Sequence, residues 1–475
     1  MKLSVGKKWP IIATGAGLFS DGYLNNVIGS VNTILKILYP KEYAASPATR
    51  NVSSIAFAGT VLGQLSFGFI SDYYSRKHGM IISTCILILF SILCSGAWGA
   101  NGSIHGMLAA LTAYRFFIGV GIGGEYPAGS VACAEASNEV KSGQRNRWFV
   151  LFTNFMIDFG FVVSAFVPLV MLWICSENHL TTVWRVSLGL GAIPPMSIFY
   201  LRLKLQEPEQ FRKNTMRHCR IPYLLVLRFY GFRLFIVAII WFIYDFSAYS
   251  FSLYSSTILA AVIPDGSLYK TFGWNVVLNL FYIPGSFLGA FSADYLGPRL
   301  TLTIGVWLQA IVGFIMAGLY DHLKHHIGGF VVIYGIFQTL GEFGPGDCIG
   351  LLASKTCATS IRGQYYGIAA AVGKIGAFVG TYVFPIIISN AGGEETTKGL
   401  QAPFWVSSSL CVFSGILAIT CLPRLSQDVI ESEDERFREF LASHGWDVSQ
   451  LGDGGSMDEL YNPEQEIDFS KELKE

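Results

Sequence analysis

Long apolar stretches, each about the length of a membrane-spanning helix, follow one another through most of this 475-residue chain. A helix needs about 20 predominantly apolar residues to cross the hydrocarbon core of a bilayer. The predicted stretches lie at roughly 11–35, 54–73, 79–99, 105–133, 148–174, 183–203, 232–262, 272–294, 300–320, 329–353, 364–389 and 403–422. The sequence therefore predicts an all-α membrane protein with about twelve transmembrane helices.

Composition agrees with this fold class. Charged residues make up 14% of the chain, whereas about 25% is usual when the whole surface faces water. The formal net charge is zero, which gives no indication of nucleic-acid binding. The nine cysteines are an odd number without a CxxC pair, so neither a disulfide framework nor a metal site is expected.

Basic residues are concentrated in alternate loops, which predicts the direction of the helices. One side of the predicted topology collects Arg76, Lys77, Arg145, Arg147, Arg202, Arg212, Arg299 and Arg362. The positive-inside rule then places both termini in the cytoplasm. The chain divides into a first six-helix half (1–203), a basic cytoplasmic loop (204–231), a second half (232–422) and a cytoplasmic tail (423–475). A signal peptide is an alternative for the N-terminus, but we expect an uncleaved first helix.

Short motifs are repeated in the two halves. Asp72 ends the second span and is followed by Arg76, just as Asp294 ends the eighth and is followed by Arg299. Gln144-Arg145 after the fourth span likewise parallels Arg362-Gly363-Gln364 after the tenth. An acid, a tight turn and a base suit a gating latch between helices, although charged helix ends of no special role are an alternative. The repetition predicts duplicated halves.

Ionisable side chains in the middle of spans are costly and therefore functional candidates. Asp21, Asp245 and Lys374 lie near mid-span, and Glu125 lies nearer the cytoplasmic side. Further acids within spans are Asp158 in the fifth and Glu342 and Asp347 in the tenth. A buried lysine stays charged when a carboxylate faces it. An anionic substrate could replace that carboxylate, which would then take up a proton. Proton–anion symport is one interpretation, and a structural salt bridge is the other.

Aromatic residues flank one of these acids. Trp241, Asp245 and Tyr249 recur every four residues and so share one helix face, which suits a polar organic ligand, although packing is the alternative. Gly/Pro clusters around Glu125-Tyr126-Pro127 and Gly344-Pro345-Gly346 predict interrupted helices in corresponding spans of the two halves.

At these residues the chain resembles the phosphate:proton symporter branch of the major facilitator superfamily. Three motifs carry the resemblance: Gly123-Gly124-Glu125-Tyr126-Pro127, the Trp241/Asp245/Tyr249 pattern, and Gly373-Lys374-Ile375-Gly376-Ala377. The resemblance implies that twelve helices form two six-helix halves and that a proton gradient, with no cofactor, drives transport. It also implies phosphate binding and proton transfer by Asp21, Glu125 and Asp245, and substrate contact by Lys374, Tyr126, Trp241 and Tyr249.

Departures from that branch narrow the resemblance. The second acid of the first span is replaced by Leu24, the fourth-span Asp by Glu125, and the tenth-span Asn by Gly346. Ser20–Asn26, 124–129 and 154–160 are most similar to fungal glycerophosphodiester permeases. This implies proton-coupled uptake of glycerophosphocholine or glycerophosphoinositol by a plasma-membrane monomer, with Asn154 near the substrate and Asp158 in proton coupling.

Other functions remain open at this point. An inorganic phosphate:proton symporter, a sugar or other organic-solute porter, and a nutrient sensor that does not transport are the alternatives. No HExxH, GxSxG or nucleotide-binding loop is present in the sequence, so an enzyme is not expected.

Overall fold

All regular secondary structure in the described part of the chain is helical. The computed structural model describes residues 9–452 apart from 45, 139, 141, 208, 264–266, 394–395 and 426–428, so the predicted tail beyond 452 and the charged N-terminus lie outside it. Its longer helical segments are α1 (Trp9–Gly15, Ala16–Leu18 and Phe19–Leu38), α2 (Ala48–Tyr73), α3 (Arg76–Ser95), α4 (Ile104–Asn138), α5 (Arg145–Cys175), α6 (Glu177–Leu203), α7 (Tyr223–Val262), α8 (Leu268–Tyr295), α9 (Pro298–Gly318), α10 (Ile327–Lys355), α11 (Thr359–Asn390), α12 (Thr397–Cys421) and α13 (Val429–Ser443).

Eleven of these segments, from α2 to α12, are long and apolar enough to cross a membrane. The remaining predicted span is the first one, 11–35, which corresponds to α1 and is too polar to be counted with these eleven. Its polar side chains Asp21, Asn25, Asn26 and Asn32 are all buried. A bundle interior can hold such groups where lipid could not, because neighbouring helices supply their hydrogen-bond partners.

The two halves of the bundle meet along matching helices. Helix α2 packs on α11, and α5 packs on α8, so each half contributes its second and fifth helix to the junction. Large apolar side chains such as Ile92, Trp173 and Ile174 are exposed on the outside, as expected for a lipid-facing surface.

Glycines allow two of the helix pairs to approach closely. A Cβ at Gly22 in α1 would lie 1.8 Å from the Ile157 carbonyl oxygen in α5. A Cβ at Gly376 in α11 would lie 2.2 Å from the Phe242 carbonyl oxygen in α7. Such small residues bring the backbones together and so fix the helices that carry the central side chains.

The Gly/Pro clusters of α4 and α10 produce wider turns rather than breaks. Residues Glu125–Ser130 and Glu342–Gly346 each form a π-helical turn within a continuous helical segment. The predicted interruptions therefore take the form of local widening. Each turn re-aims the side chains that follow it, and such turns are frequent at functional sites.

The segment after α6 and the segment after α12 cover one end of the bundle, which we call the basic end because Arg76, Arg147 and Arg362 lie there. Helix α7 begins at Tyr223, inside the interval predicted as a loop. Helix α13 lies against this end, where Asp434 accepts hydrogen bonds from the Thr359 amide at 2.6 Å and from Asn214 at 3.1 Å. Part of the predicted polar tail is thus packed onto the bundle.

Candidate functional site

A lysine in the middle of the bundle contacts a carboxylate at the wall of a cavity. Lys374 in α11 places its Nζ 3.2 Å from Asp245 Oδ2 in α7 and 3.9 Å from Asp21 Oδ2 in α1. All three side chains are buried, with at most 1% of their surface exposed. A buried ammonium is costly without a negative partner, and these two carboxylates supply that partner.

Two phenol rings surround the same ammonium group. The Lys374 Nζ lies 3.7 Å from the ring centre of Tyr249 and 5.1 Å from that of Tyr126. Trp241 contacts the α11 backbone so closely that a Cβ at Gly373 would lie 2.5 Å from its indole. Trp241, Asp245 and Tyr249 therefore lie on one face of α7, as helix periodicity predicts, and that face lines the cavity.

The two carboxylates beside Lys374 have different surroundings. Asp21 accepts hydrogen bonds from the Tyr126 hydroxyl, from the Tyr249 hydroxyl at 3.2 Å and from the Asn25 amide at 2.5 Å. Asp245 lines the cavity, and its Oδ2 contacts Lys374, while no further donor to that oxygen is present among the described residues. Asp245 is thus the carboxylate that an anionic ligand can displace from Lys374 most readily.

Further acids line the other side of the same cavity. Asn154 in α5 donates through its amide to Glu342 Oε2 at 3.0 Å and to Asp347 Oδ1 at 2.9 Å, both in α10. Tyr244 in α7 donates to Glu342 Oε1 at 2.9 Å. Asp158 in α5 is fully buried and also lines the cavity. The predicted residues Asn154 and Asp158 therefore belong to this acidic side.

Gly346 is part of the acidic side for a steric reason. A Cβ at this position would lie 2.1 Å from Glu342 Oε2 and 2.7 Å from the Tyr244 hydroxyl. The space that a larger residue would fill is therefore taken by a carboxylate and a phenol of the chain itself.

Glu125 lies outside the residues that line the cavity. Its two carboxylate oxygens each lie 2.6 Å from the guanidinium of Arg202 in α6, and Ser83 donates to it at 2.6 Å. The structure separates Glu125 from Lys374 and Asp245, and its role in proton coupling remains a prediction.

The repeated loop motifs join the two halves at the basic end. Asp72, at the end of α2, accepts hydrogen bonds from the backbone amides of Gly363 at 2.9 Å and Gln364 at 2.7 Å in the other half, while Arg76 pairs with it at 2.5 Å. Arg76 and Arg362 each also lie 3.1 Å from the same oxygen of Glu135.

The second half makes the symmetry-related contact. Asp294 at the end of α8 pairs with Arg147 at 3.0 Å and accepts the Arg147 backbone amide at 3.3 Å in the first half. Arg299 donates instead to the Leu422 carbonyl at 2.9 Å, within its own half. Arg76 reaches across the halves through its hydrogen bond to the Thr359 carbonyl at 3.3 Å. Of the predicted gating residues, Asp72, Arg76, Asp294 and Arg362 therefore take part in contacts across the halves.

Contacts between the halves also lie on the opposite side of the cavity. Asn26 in α1 donates to Asn279 in α8 at 3.0 Å, and Ser54 in α2 lies 3.2 Å from Thr381 in α11. The cavity is therefore enclosed between two layers of contacts.

Several important residues were not predicted as part of the site. Glu342 and Asp347 are visible in the sequence as acids of the tenth span, and that position was the available signal. Glu135, Arg147 and Arg202 look like ordinary helix-end charges, and only the packing shows that they are paired.

Comparison with known proteins agrees with this architecture. The family model described as "Sugar (and other) transporter" matches residues 9–218 and 212–437. The chain superposes on the proton:xylose symporter XylE of E. coli with a TM-score of 0.74 at 16% identity, covering 90% of this chain and 98% of that one. This likeness confirms the predicted major facilitator fold.

Two curated relatives come from Candida albicans. The major glycerophosphoinositol permease is 53% identical over 98% of this chain and 87% of its own length. The glycerophosphocholine permease is 52% identical over 100% of this chain and 89% of its own length. They confirm the predicted resemblance to fungal glycerophosphodiester permeases. On the evidence of fold, family model and relatives, the chain belongs to the sugar (and other) transporter family of the major facilitator superfamily.

Proposed function

We propose that this chain carries a glycerophosphodiester across the plasma membrane together with a proton, by alternating access. The central observation is Lys374, which lies 3.2 Å from a displaceable carboxylate and is flanked by two phenol rings in an enclosed cavity. A phosphodiester has one negative charge, and one buried cation matches it. The permease names of the relatives support the same substrate class.

The proton enters this scheme through the carboxylate that the substrate displaces. When the phosphate takes the place of Asp245 beside Lys374, the carboxylate is left buried without a cation, and protonation removes that cost. Asp21 keeps the hydrogen bonds that it accepts from the Tyr126 and Tyr249 hydroxyls when the substrate binds. Asp158 and Glu125 are further proposed proton carriers, and no cofactor takes part in this scheme.

Movement follows from the two layers of contacts. We place the boundaries of the halves at 1–203 and 232–422, joined by 204–231, with both termini and the basic end in the cytoplasm. Rocking of the halves would break the Asp72–Gly363 and Asp294–Arg147 contacts on one side while the Asn26–Asn279 side stays closed. A monomer contains the whole site.

Uptake by permease-deficient cells tests the proposal. Cells expressing the chain should accumulate labelled glycerophosphocholine or glycerophosphoinositol more strongly at low external pH, and free phosphate should compete poorly. Lys374→Ala should abolish uptake with normal surface expression. Normal transport by that variant would refute the site, whereas preferred uptake of inorganic phosphate would favour the alternative phosphate symporter.

A further inference from the structure

A group of three buried carboxylates, which we call the acidic pole, lines the cavity away from Lys374. Asp158 of α5 and Glu342 and Asp347 of α10 are at most 2% exposed. Lys374 is the one basic side chain among the described residues that line this cavity, and it is paired with Asp245. The acidic pole therefore lies in the cavity without a cation of its own.

Several oxygens of the acidic pole also lack hydrogen-bond donors. In the described part of the chain, neither carboxylate oxygen of Asp158 has a hydrogen-bond partner, and Asp347 Oδ2 also has none. The polar neighbours of Asp158 are the Ser286 hydroxyl, which also donates to the Tyr282 carbonyl at 3.3 Å, and the Glu342 carboxyl, and neither of them brings a positive charge. Buried carboxylates without partners are costly, so these oxygens favour a ligand that brings positive charge.

The arrangement does not suit a small metal ion. Among the residues described, no group of three or more His, Cys, Asp or Glu side chains is placed to hold one. Aromatic side chains share the cavity wall with the acids, among them Tyr244, Phe161 and Trp241. Carboxylates spread among aromatic faces are the surroundings that an organic ammonium group prefers.

The acidic pole is close to the site proposed for the phosphate. Tyr244, which holds Glu342, directly precedes Asp245, which pairs with Lys374, on the same helix. Asp158, Glu342 and Asp347 line the same cavity as Lys374, so a single ligand in that cavity can contact both sides. A cationic centre and an anionic centre therefore face a single ligand.

We infer that the preferred substrate is a zwitterionic glycerophosphodiester, whose ammonium-bearing arm binds at Asp158, Glu342 and Asp347 while its phosphate binds at Lys374. This inference rests on the proposed function and adds the chemistry of the head group. An inositol arm is uncharged and would leave the acidic pole without a cation. The head group is either a trimethylammonium, as in glycerophosphocholine, or a primary ammonium, as in glycerophosphoethanolamine.

Binding to the purified full-length chain tests the inference at one fixed pH. Titration calorimetry with glycerophosphocholine, glycerophosphoethanolamine and glycerophosphoinositol should give affinities at least about tenfold higher for one or both zwitterionic ligands than for the inositol compound, since a contact of roughly 1.4 kcal/mol corresponds to that ratio. Asp158→Asn should reduce the ratio toward one, and Glu342→Gln should do the same. Asp158→Glu retains the charge and should retain the preference. Thermal unfolding of each variant identifies any that fail to fold.

The outcomes separate the two proposals. Equal affinity for the three ligands, tighter binding of the inositol compound, or an equal loss for all ligands in Asp158→Asn would overturn the head-group inference. In that last case the acids would act on protons only. Failure of the unmodified chain to bind any phosphodiester, or normal binding by Lys374→Ala, would overturn the proposed function and the head-group inference with it.

Discussion

Arg202 donates two hydrogen bonds of 2.6 Å to the Glu125 carboxylate, and both side chains are buried. The pair joins α6 to the π-helical turn of α4, and Arg202 also donates to the Ala13 carbonyl of α1 at 3.2 Å. A single ion pair thus ties three helices of the first half together behind the cavity.

Removal of one partner should therefore destabilise the first half. Arg202→Ala leaves the Glu125 carboxylate buried without a cation, and such changes cost about 3–5 kcal/mol. Thermal unfolding of the purified protein should show a clear loss for Arg202→Ala. The double variant Arg202→Ala/Glu125→Ala should lose less than the sum of the two single variants. Additive losses would show that the two residues do not depend on each other.

Asp245→Asn should separate substrate binding from proton coupling. The amide cannot take up a proton, whereas Lys374 keeps Asp21 as its partner at 3.9 Å. We expect exchange of substrate across the membrane to persist and accumulation driven by a pH gradient to be lost. Counterflow and gradient-driven uptake in proteoliposomes measure the two processes. Asp321→Asn makes the same chemical change at an exposed acid and should alter neither. Accumulation by Asp245→Asn with unchanged pH dependence would contradict the assignment.

Gly346→Ala should disturb the acidic side of the cavity. The added methyl group would lie 2.1 Å from the Glu342 carboxylate, so that carboxylate or Tyr244 must move, at a cost of about 1–3 kcal/mol. We expect weaker substrate binding, measured by titration calorimetry. Gly273→Ala is the matched control, because its Cβ would have no neighbour within 4 Å. Equal behaviour of the two variants would exclude a steric role for Gly346.

The contacts at the basic end should hold that end closed. Asp72→Asn and Asp294→Asn each weaken a contact across the halves, and both should shift the population toward an open basic end. Distances between spin labels at His78 and Leu300 would report the shift, with Arg299→Ala as the control because Arg299 binds within its own half. If the distance distribution between the labels widens only in Arg299→Ala, or in none of the variants, these contacts do not hold the basic end closed.

Docking of α13 should strengthen as pH falls. Burial raises the pKa of the Asp434 carboxyl above its ordinary value of 3.8, against the opposing effect of Arg362. The docked state therefore binds a proton more readily than the free tail, and docking gains stability as pH falls from the raised pKa toward 3.8. Protection factors from hydrogen exchange of the α13 amides, which are corrected for the intrinsic pH dependence of exchange, should rise over this interval in the unmodified chain and stay level in Asp434→Asn. The same pH response in both would assign it to another group.

Much of this architecture could be predicted from the sequence. The transmembrane helices could be predicted because a bilayer-spanning helix needs about 20 apolar residues in sequence. The central position of Asp21, Asp245 and Lys374 could be predicted from their place near the middle of the spans. The shared face of Trp241, Asp245 and Tyr249 follows from helix periodicity alone.

The partners of these residues depended on the tertiary structure. Residues 77 positions apart, Glu125 and Arg202, form one ion pair, and Asp294 pairs with Arg147 rather than with Arg299. Helix periodicity says which side a residue faces but not which helix lies opposite, because that depends on packing between distant segments. By itself, the sequence determined a bundle with charges at its centre. Only the fold decided that Lys374 meets Asp245 on one side of the cavity while three acids gather without a cation on the other.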